Sequence, residues 1–153
     1  IGMVKLVGGK EVDRFQTLLN PQRRIPSSIT RLTGISDDMV ADAPLFAEVA
    51  DHIASFTEDA VFVAHNVNFD YGFIKQEFAR LEQSFRRPKM CTVREMRRTH
   101  PGLSSYSLAN LTKHFHIDME QHHRALSDAK AAAELLKLAF EKDDEGFSVG
   151  DNV

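Results

Sequence analysis

The chain has 153 residues, of which 42% are hydrophobic, 27% are charged and one is cysteine. These proportions supply enough apolar side chains for one core, and no apolar run approaches the ~20 residues that a membrane helix needs. A single cysteine, Cys91, excludes an internal disulfide and a thiolate zinc site. We therefore expect one globular, cytoplasmic domain, with no membrane partner and no role for Cys91 beyond that of a buried strand residue.

The charge is distributed unevenly along the chain. The formal net charge of −3 does not favour a protein that binds nucleic acid by bulk charge. Residues 75–98 nevertheless carry eight Lys or Arg against three Glu, whereas residues 36–59 carry seven acids and no Lys or Arg. Solvated helix faces explain this at least as well as a track for phosphates. Residues 141–153 are predicted to form an acidic C-terminal tail after a domain of residues 1–140.

The first part of the chain is predicted to form a hairpin followed by short helical turns. Residues 1–7 and 12–19 are β-prone and are separated by a glycine-containing turn, which predicts two antiparallel strands. A helical turn is predicted to begin near Pro26 and to be stopped by Gly34. Ser36 is predicted to cap another turn.

The middle of the chain alternates between helix and strand patterns. A helix is predicted after Pro44, with a stripe of Phe46, Val49, Ile53 and Phe56. Residues 60–64 are continuously apolar, as expected of a strand buried on both faces. The next predicted helix has a stripe of Phe69, Phe73, Phe78 and Leu81.

The last part of the chain is predicted to be mostly helical. A weaker strand is predicted at residues 90–93. Ser105 is predicted to cap the next helix, and a final helix is predicted over about residues 125–140. Taken together, the hairpin and the alternating elements predict an α/β fold with a mixed sheet flanked by helices.

One polar cluster lies where a predicted strand gives way to a helix. Residues 63–70 run from a buried strand through His65 and Asn66 to Asp70. Sites in open α/β folds form at the carboxyl ends of strands, which makes Asp70 a candidate for chemistry. An acid in the first turn of a helix is also favoured by the helix dipole alone, by ~0.3–1 kcal/mol.

A second polar cluster, residues 122–129, begins the last helix. His123 and Asp128 are five positions apart, which on a continuous helix would direct them about 140° apart. We therefore predict His123 on the preceding loop and Asp128 in the first turn, both facing one site. A surface role is the alternative for a single His and is kept for His122. Zinc binding by the two histidines is less favoured, because they lack the i, i+4 spacing of helical metal ligands.

These clusters, with residues 32–35 (Leu-Thr-Gly-Ile) and 106–108 (Tyr-Ser-Leu), resemble the DEDDh exonucleases. That family includes the proofreading epsilon subunit and the proofreading domains of bacterial replicative polymerases. The similarity extends over about residues 4–140. It implies a ribonuclease H-like fold and removal of nucleoside monophosphates from the 3′ end of single-stranded DNA, in proofreading or repair, with a DNA polymerase subunit as a candidate partner.

The resemblance also implies a metal site. Hydrolysis in this family uses two divalent cations, Mg²⁺ or Mn²⁺, which prefer carboxylate oxygens. By this similarity Asp128 is a direct metal ligand, Asp70 is a second acid at the metal pair, and His123 is the general base on the attacking water.

The substrate-binding residues are likewise implied by the resemblance. Asn66 and Phe69 would shape the site beside the metals. Thr33, Gly34 and Ile35 would approach the terminal nucleotide.

The chain departs from the family pattern at its first acids. The pattern places an Asp-x-Glu pair on a first, central strand before the hairpin, and residue 1 already lies in a β-prone run. Residues 118–120 and 143–145 match the spacing, but neither lies in an apolar strand. We therefore expect an exonuclease domain truncated at its N-terminus and nearly inactive by itself. An RNA-trimming exonuclease and a catalytically dead nucleic-acid or polymerase-binding relative are the alternatives.

Overall fold

The computed structural model describes residues 1–120 and 124–143, beginning with a β-hairpin. Strands β1 (Gly2–Val7) and β2 (Lys10–Gln16) pair antiparallel, with Gly2 opposite Gln16. The turn between them uses φ angles of +61° at Gly8 and +81° at Gly9, which glycine adopts without steric cost. The predicted hairpin is therefore confirmed.

Three helices follow the hairpin. Helix α1 (Ser27–Thr33) ends at Gly34 in the left-handed conformation and contributes no buried residue. Helix α2 (Asp37–Val40) follows Ser36, and α3 (Phe46–Phe56) begins after Leu45. The positions predicted for all three are confirmed. The buried face of α3 contains Phe46, Ala50, Ile53 and Phe56, and the predicted Val49 is partly buried against the same core.

The second pair of strands is parallel. Strand β3 (Phe62–Ala64) pairs with β4 (Lys89–Cys91), Phe62 lying opposite Lys89. The prediction that residues 60–64 are buried on both faces is wrong: β3 is only half-buried and Val61 is exposed. The cause is that β3 has one strand partner, β4, among the described residues. The α/β class is confirmed, but the described strands form two two-stranded sheets and not one mixed sheet.

Helix α4 (Val67–Arg80) buries only part of the predicted stripe: Phe78 is buried and Leu81 packs against the core, whereas Phe69 and Phe73 are exposed. Phe69 and Phe73 are 81% and 48% exposed. The core-facing residues are Val67, Tyr71, Ile74 and Phe78. Both stripes have helical periodicity, and the aromatic contact of Tyr71 with Phe62, at 5.4 Å between ring centroids, stabilises the observed one.

The remaining helices are α5 (Thr92–Thr99), α6 (Leu108–His114) and α7 (Arg124–Asp143). Helix α5 begins within the residues predicted as a weak strand; it buries only Val93 and Met96 among its apolar residues, too few for a clear helical stripe. Ser107, and not Ser105, caps α6 by accepting a hydrogen bond from the Asn110 N–H at 3.1 Å. Helix α7 matches the predicted last helix and extends to Asp143.

Helix α7 packs directly against the hairpin. A Cβ atom at Gly2 would lie 2.4 Å from the backbone nitrogen of Leu126, so only glycine fits there. On its other side α7 packs on α5, and Met96, Leu111, Leu135 and Ala139 form a buried cluster. The first turns of α7 are thereby held against β1. Among the described residues, no helix is long and apolar enough to cross a membrane.

Candidate active site

One acid, Asp70, lies in the first turn of α4. The other, Asp128, lies beyond the first turn of α7, so the predicted first-turn position of Asp128 is wrong. Asp70 follows β3 by a few residues, at the carboxyl end of the parallel strands. Asp128 lies near the start of α7, where the helix contacts β1. The negative charge of Asp128 acts on Asp70, so the two acids lie within electrostatic reach of each other although they are far apart in sequence. The structure thus brings together the two acids that the sequence singled out.

Both carboxyl groups are desolvated by their surroundings. Asp70 is exposed as a residue, but neighbouring atoms desolvate its carboxyl and raise its pKa, and the charge of Asp128 raises it further. Burial likewise raises the pKa of Asp128, while the positive charge of Arg124, and that of His65 in its protonated form, act in the opposite direction. Two like charges in a desolvated corner are unfavourable unless a cation is present.

His65, the residue after β3, is fixed by both ring nitrogens. Nδ1 lies 2.8 Å from the Thr92 hydroxyl and Nε2 lies 2.6 Å from the Tyr106 carbonyl oxygen. Since a carbonyl only accepts, Nε2 carries the proton and Nδ1 accepts from Thr92. Burial lowers the pKa of His65, which favours this neutral form. No role is predicted for His65 from the sequence, although its position at a strand end is a usable signal.

The turn after α1 is linked to the start of α7. Arg124 Nη1 donates a hydrogen bond to the carbonyl oxygen of Leu32. Within the turn, the Ile35 N–H donates to the Thr33 hydroxyl at 3.1 Å, and Gly34 has a φ of +77°. Three residues predicted to approach the terminal nucleotide therefore lie beside the helix that carries Asp128. No sequence signal predicts the link made by Arg124.

Asn66 and Phe69 flank Asp70 at the start of α4. Asn66 is the N-terminal flanking residue of the helix and has a φ of +65°. The side chain of Phe69 is 81% exposed and therefore contributes little to the core. Its exposed ring offers a flat apolar surface next to an acid.

Cys91 ends β4 and flanks the start of α5, a half-buried position. Burial acts to raise the pKa of its thiol, but the backbone N–H groups of Asn66, Val67, Val93 and Arg94 together lower it. Cys91 is therefore a strand residue, as predicted, but it is half-buried and not buried.

The proposed general base cannot be placed. His123 and its neighbour His122 lie outside the described residues. Their assignments stay predictions from the sequence.

The donor set fits part of a metal site. Carboxylate oxygens suit hard divalent ions, and a cation would offset the repulsion between Asp70 and Asp128. Across residues 1–120 and 124–143, no group of three or more His, Cys, Asp or Glu is close enough to hold a metal. Asp70 and Asp128 are thus candidate ligands that do not form a complete metal site with the other described residues.

Comparison with known proteins gives a family match over most of the chain. The family model RNase_T, described as "Exonuclease", matches residues 1–136. This match covers the hairpin, both acids and most of α7.

Several curated relatives are bacterial polymerases. The chain is 42% identical over 151 residues to "DNA polymerase III PolC-type" of Clostridium perfringens, covering 99% of the chain and 10% of that relative. It is 38% identical over 144 residues to "3'-5' exonuclease DinG" of Staphylococcus epidermidis, covering 93% of the chain and 16% of that relative. The chain thus spans about a tenth to a sixth of these proteins' length.

A solved structure shares the fold. The chain aligns with "Exonuclease X in complex with 5' overhanging duplex DNA" at a TM-score of 0.71 and 26% identity, covering 97% of this chain and 84% of that one. The likeness to a ribonuclease H-like exonuclease holds although the described strands form two separate sheets.

Proposed function

Since this chain belongs to the RNase T family of DEDDh exonucleases, we propose that it is a metal-dependent 3′→5′ exonuclease domain. Its reaction would remove nucleoside monophosphates from the 3′ end of single-stranded DNA, in proofreading or repair. The observation that carries this proposal is the family match over residues 1–136, a range that includes both Asp70 and Asp128.

The choice of DNA over RNA is supported by the relatives. The names of the polymerase relatives refer to DNA synthesis, and the solved exonuclease X is in complex with duplex DNA. A PolC-type DNA polymerase III is accordingly the proposed setting, with the rest of the polymerase as the partner. The alternative, RNA trimming, would use the same acids and differ in contacts to the 2′-hydroxyl.

Asp128 and Asp70 would hold divalent metal, Mg²⁺ or Mn²⁺, as members of a larger ligand set. When bound, such ions lower the pKa of a coordinated water and stabilise negative charge at phosphorus. The desolvated surroundings of both carboxyls strengthen their attraction for a cation.

The remaining predicted site residues would accept a proton or hold the substrate. His123 would accept a proton from the attacking water, a task suited to an imidazole with a pKa near ~6.5. Phe69, Asn66 and the turn at Thr33, Gly34 and Ile35 would hold the terminal nucleotide in line with that water. A correctly held nucleotide lowers the entropic part of the barrier.

The 153 residues by themselves are expected to be nearly inactive. Two acids bind a pair of divalent ions weakly, and the family pattern uses four. No Asp-x-Glu pair in an apolar strand occurs in this sequence. The proposal therefore concerns the complete gene product.

The proposal is tested by measuring from which end the complete gene product degrades a strand, and whether it degrades DNA or RNA. A 5′-labelled single-stranded DNA should shorten one nucleotide at a time with Mg²⁺ or Mn²⁺ and stay intact with chelator. The same strand ending in a 3′-terminal phosphorothioate linkage should resist the first step. Faster shortening of the matching RNA would favour the exoribonuclease alternative. Binding of DNA without cleavage of either strand would contradict the enzyme and indicate a binding module.

A further inference from the structure

We propose that His65 is a positioning residue, which fixes the loop of residues 103–107 at a set distance from Asp128. The inference rests on the proposed exonuclease function and adds a residue to it. His65 would not touch the reacting atoms; it would act through Tyr106.

The geometry of the ring carries the proposal. His65 is the residue after β3, Thr92 is the first residue of α5, and Tyr106 lies in the loop before α6. The two hydrogen bonds at the ring, 2.8 Å to the Thr92 hydroxyl and 2.6 Å to the Tyr106 carbonyl oxygen, connect these three elements. Thr92 is completely buried, so one end of this connection cannot move without disturbing the core.

The loop that His65 holds is internally braced. The Tyr106 hydroxyl donates to the His100 carbonyl oxygen at 2.7 Å, and the Asn110 side-chain amide donates to the Ser105 carbonyl oxygen at 2.8 Å. A shift at the Tyr106 carbonyl would therefore move the loop and the start of α6 together. The bond from His65 links this unit to the end of β3.

The charge of Asp128 acts on His65, so the residue after β3 and this acid lie within electrostatic reach of each other. In this proposal the braced loop, bonded to His65 through Tyr106, forms a wall near the acid proposed to hold metal. A wall displaced by about 1 Å misplaces a bound strand, and such misplacement costs about 10²-fold in rate.

The substitutions are chosen so that the residue at position 65 either keeps or loses an N–H donor for the Tyr106 carbonyl oxygen. The Tyr106 carbonyl oxygen needs an N–H at the position of Nε2, which the side-chain amide of glutamine can supply and leucine cannot. Thr92→Val removes the other bond and preserves the volume of the side chain. His65→Leu, His65→Gln and Thr92→Val thus separate the bond from the packing.

The experiment measures kcat and KM for single-stranded DNA, Mn²⁺ affinity and Tm in the complete gene product. His65→Leu should lower kcat by about 10²-fold with Mn²⁺ affinity unchanged, and His65→Gln should restore most of the loss. Thr92→Val should fall between them. His52→Leu, at an exposed position on α3, is the matched control and should retain wild-type kcat.

The outcomes separate this proposal from the proposed function. An active wild type with equal kcat in His65→Leu would overturn the positioning role and leave the function standing. Equal losses in the Leu and Gln variants, with Tm lowered in both, would show a structural role only and also overturn it. A parallel loss of Mn²⁺ affinity would mean that His65 acts on the acids and not on the loop, which overturns it as well. An inactive wild type would reject the function together with the inference.

Discussion

Arg124 at the start of α7 donates a hydrogen bond to the backbone carbonyl of Leu32 at the end of α1, across a sequence separation of 92 residues. Helix α1 has no buried residue, so burial of apolar side chains does little to fix its position. The bond from Arg124 therefore has a large part in holding the α1 turn beside Asp128.

Removing this bond should weaken substrate binding more than catalysis. Arg124→Gln is expected to raise KM for single-stranded DNA by about tenfold, because α1 would no longer be held where the terminal nucleotide binds. Arg86→Gln removes the same charge at an exposed position and is the control. Steady-state kinetics of both variants distinguish a local bond from a general loss of positive charge. Equal KM in the two variants would argue against the role of Arg124.

The exposed ring of Phe69 should contribute to DNA binding. At 81% exposure it adds little to the core, but it offers a stacking surface for a base. Phe69→Ala is expected to raise the Kd for a single-stranded 3′ end by about tenfold and to leave Tm unchanged. Fluorescence anisotropy in Ca²⁺, with Val12→Ala on exposed β2 as the control, measures this. A lower Tm with unchanged Kd would mean that Phe69 has a structural role.

The site acids should destabilise the metal-free fold at neutral pH. Desolvation raises the pKa of Asp70 above its ordinary value of 3.8, so the folded state holds the proton more tightly than the unfolded chain does. Stability is then higher below that ordinary pKa and falls as pH rises through the raised one.

The substitution Asp70→Asn removes the free-energy cost of desolvating a charged carboxyl at this position. It should raise the metal-free Tm at pH 7 by a few degrees and weaken Mn²⁺ binding, a trade-off typical of functional sites. Asp51→Asn, at an exposed position on α3, should change neither quantity. Thermal unfolding with and without Mn²⁺ provides the measurement. A Tm that falls in Asp70→Asn would refute the desolvation account.

The end of α7 should depend on an ion pair. Arg98 donates two hydrogen bonds of 2.7 Å to the two carboxylate oxygens of Asp143, which is almost completely shielded from solvent. Those bonds lower the pKa of Asp143, so the stability they provide is present above pH 3.8 and is lost as pH falls through the lowered folded pKa.

Arg98→Ala should accordingly lower Tm by several degrees at pH 7, and the difference from wild type should shrink in strong acid. Arg80→Ala removes an arginine paired with Glu77 on the surface and should have little effect. A difference for Arg98→Ala that is independent of pH would contradict the ion pair's contribution.

Local signals predict much of the fold. The glycine turn identifies the hairpin, and the stripe after Pro44 identifies α3. The acids near two helix starts identify a candidate site, whose role stays a prediction. Helix α5 is not predicted as a helix because its sequence is mostly polar. In α4, two sets of apolar residues have equal helical periodicity, so the sequence does not show which set is buried.

Long-range hydrogen bonds lie beyond such signals. His65 meets Tyr106 across 41 residues, and Arg124 meets Leu32 across 92. These partners depend on how helices and strands pack, which no short pattern encodes. The single mixed sheet is likewise predicted from alternation of elements, whereas pairing depends on which strands are neighbours in space.

The most direct test of the central claim compares Asp128→Ala and His123→Ala in the complete gene product. Release of mononucleotides from 3′-labelled single-stranded DNA and binding of Mn²⁺ are measured on both variants. Asp128→Ala should abolish metal-dependent release and weaken Mn²⁺ binding. His123→Ala should keep Mn²⁺ binding and lower the rate by ~10²–10⁴, the size typical of a general base. Release that persists in Asp128→Ala, or that resists chelator in the wild type, would contradict a metal-dependent exonuclease at this site.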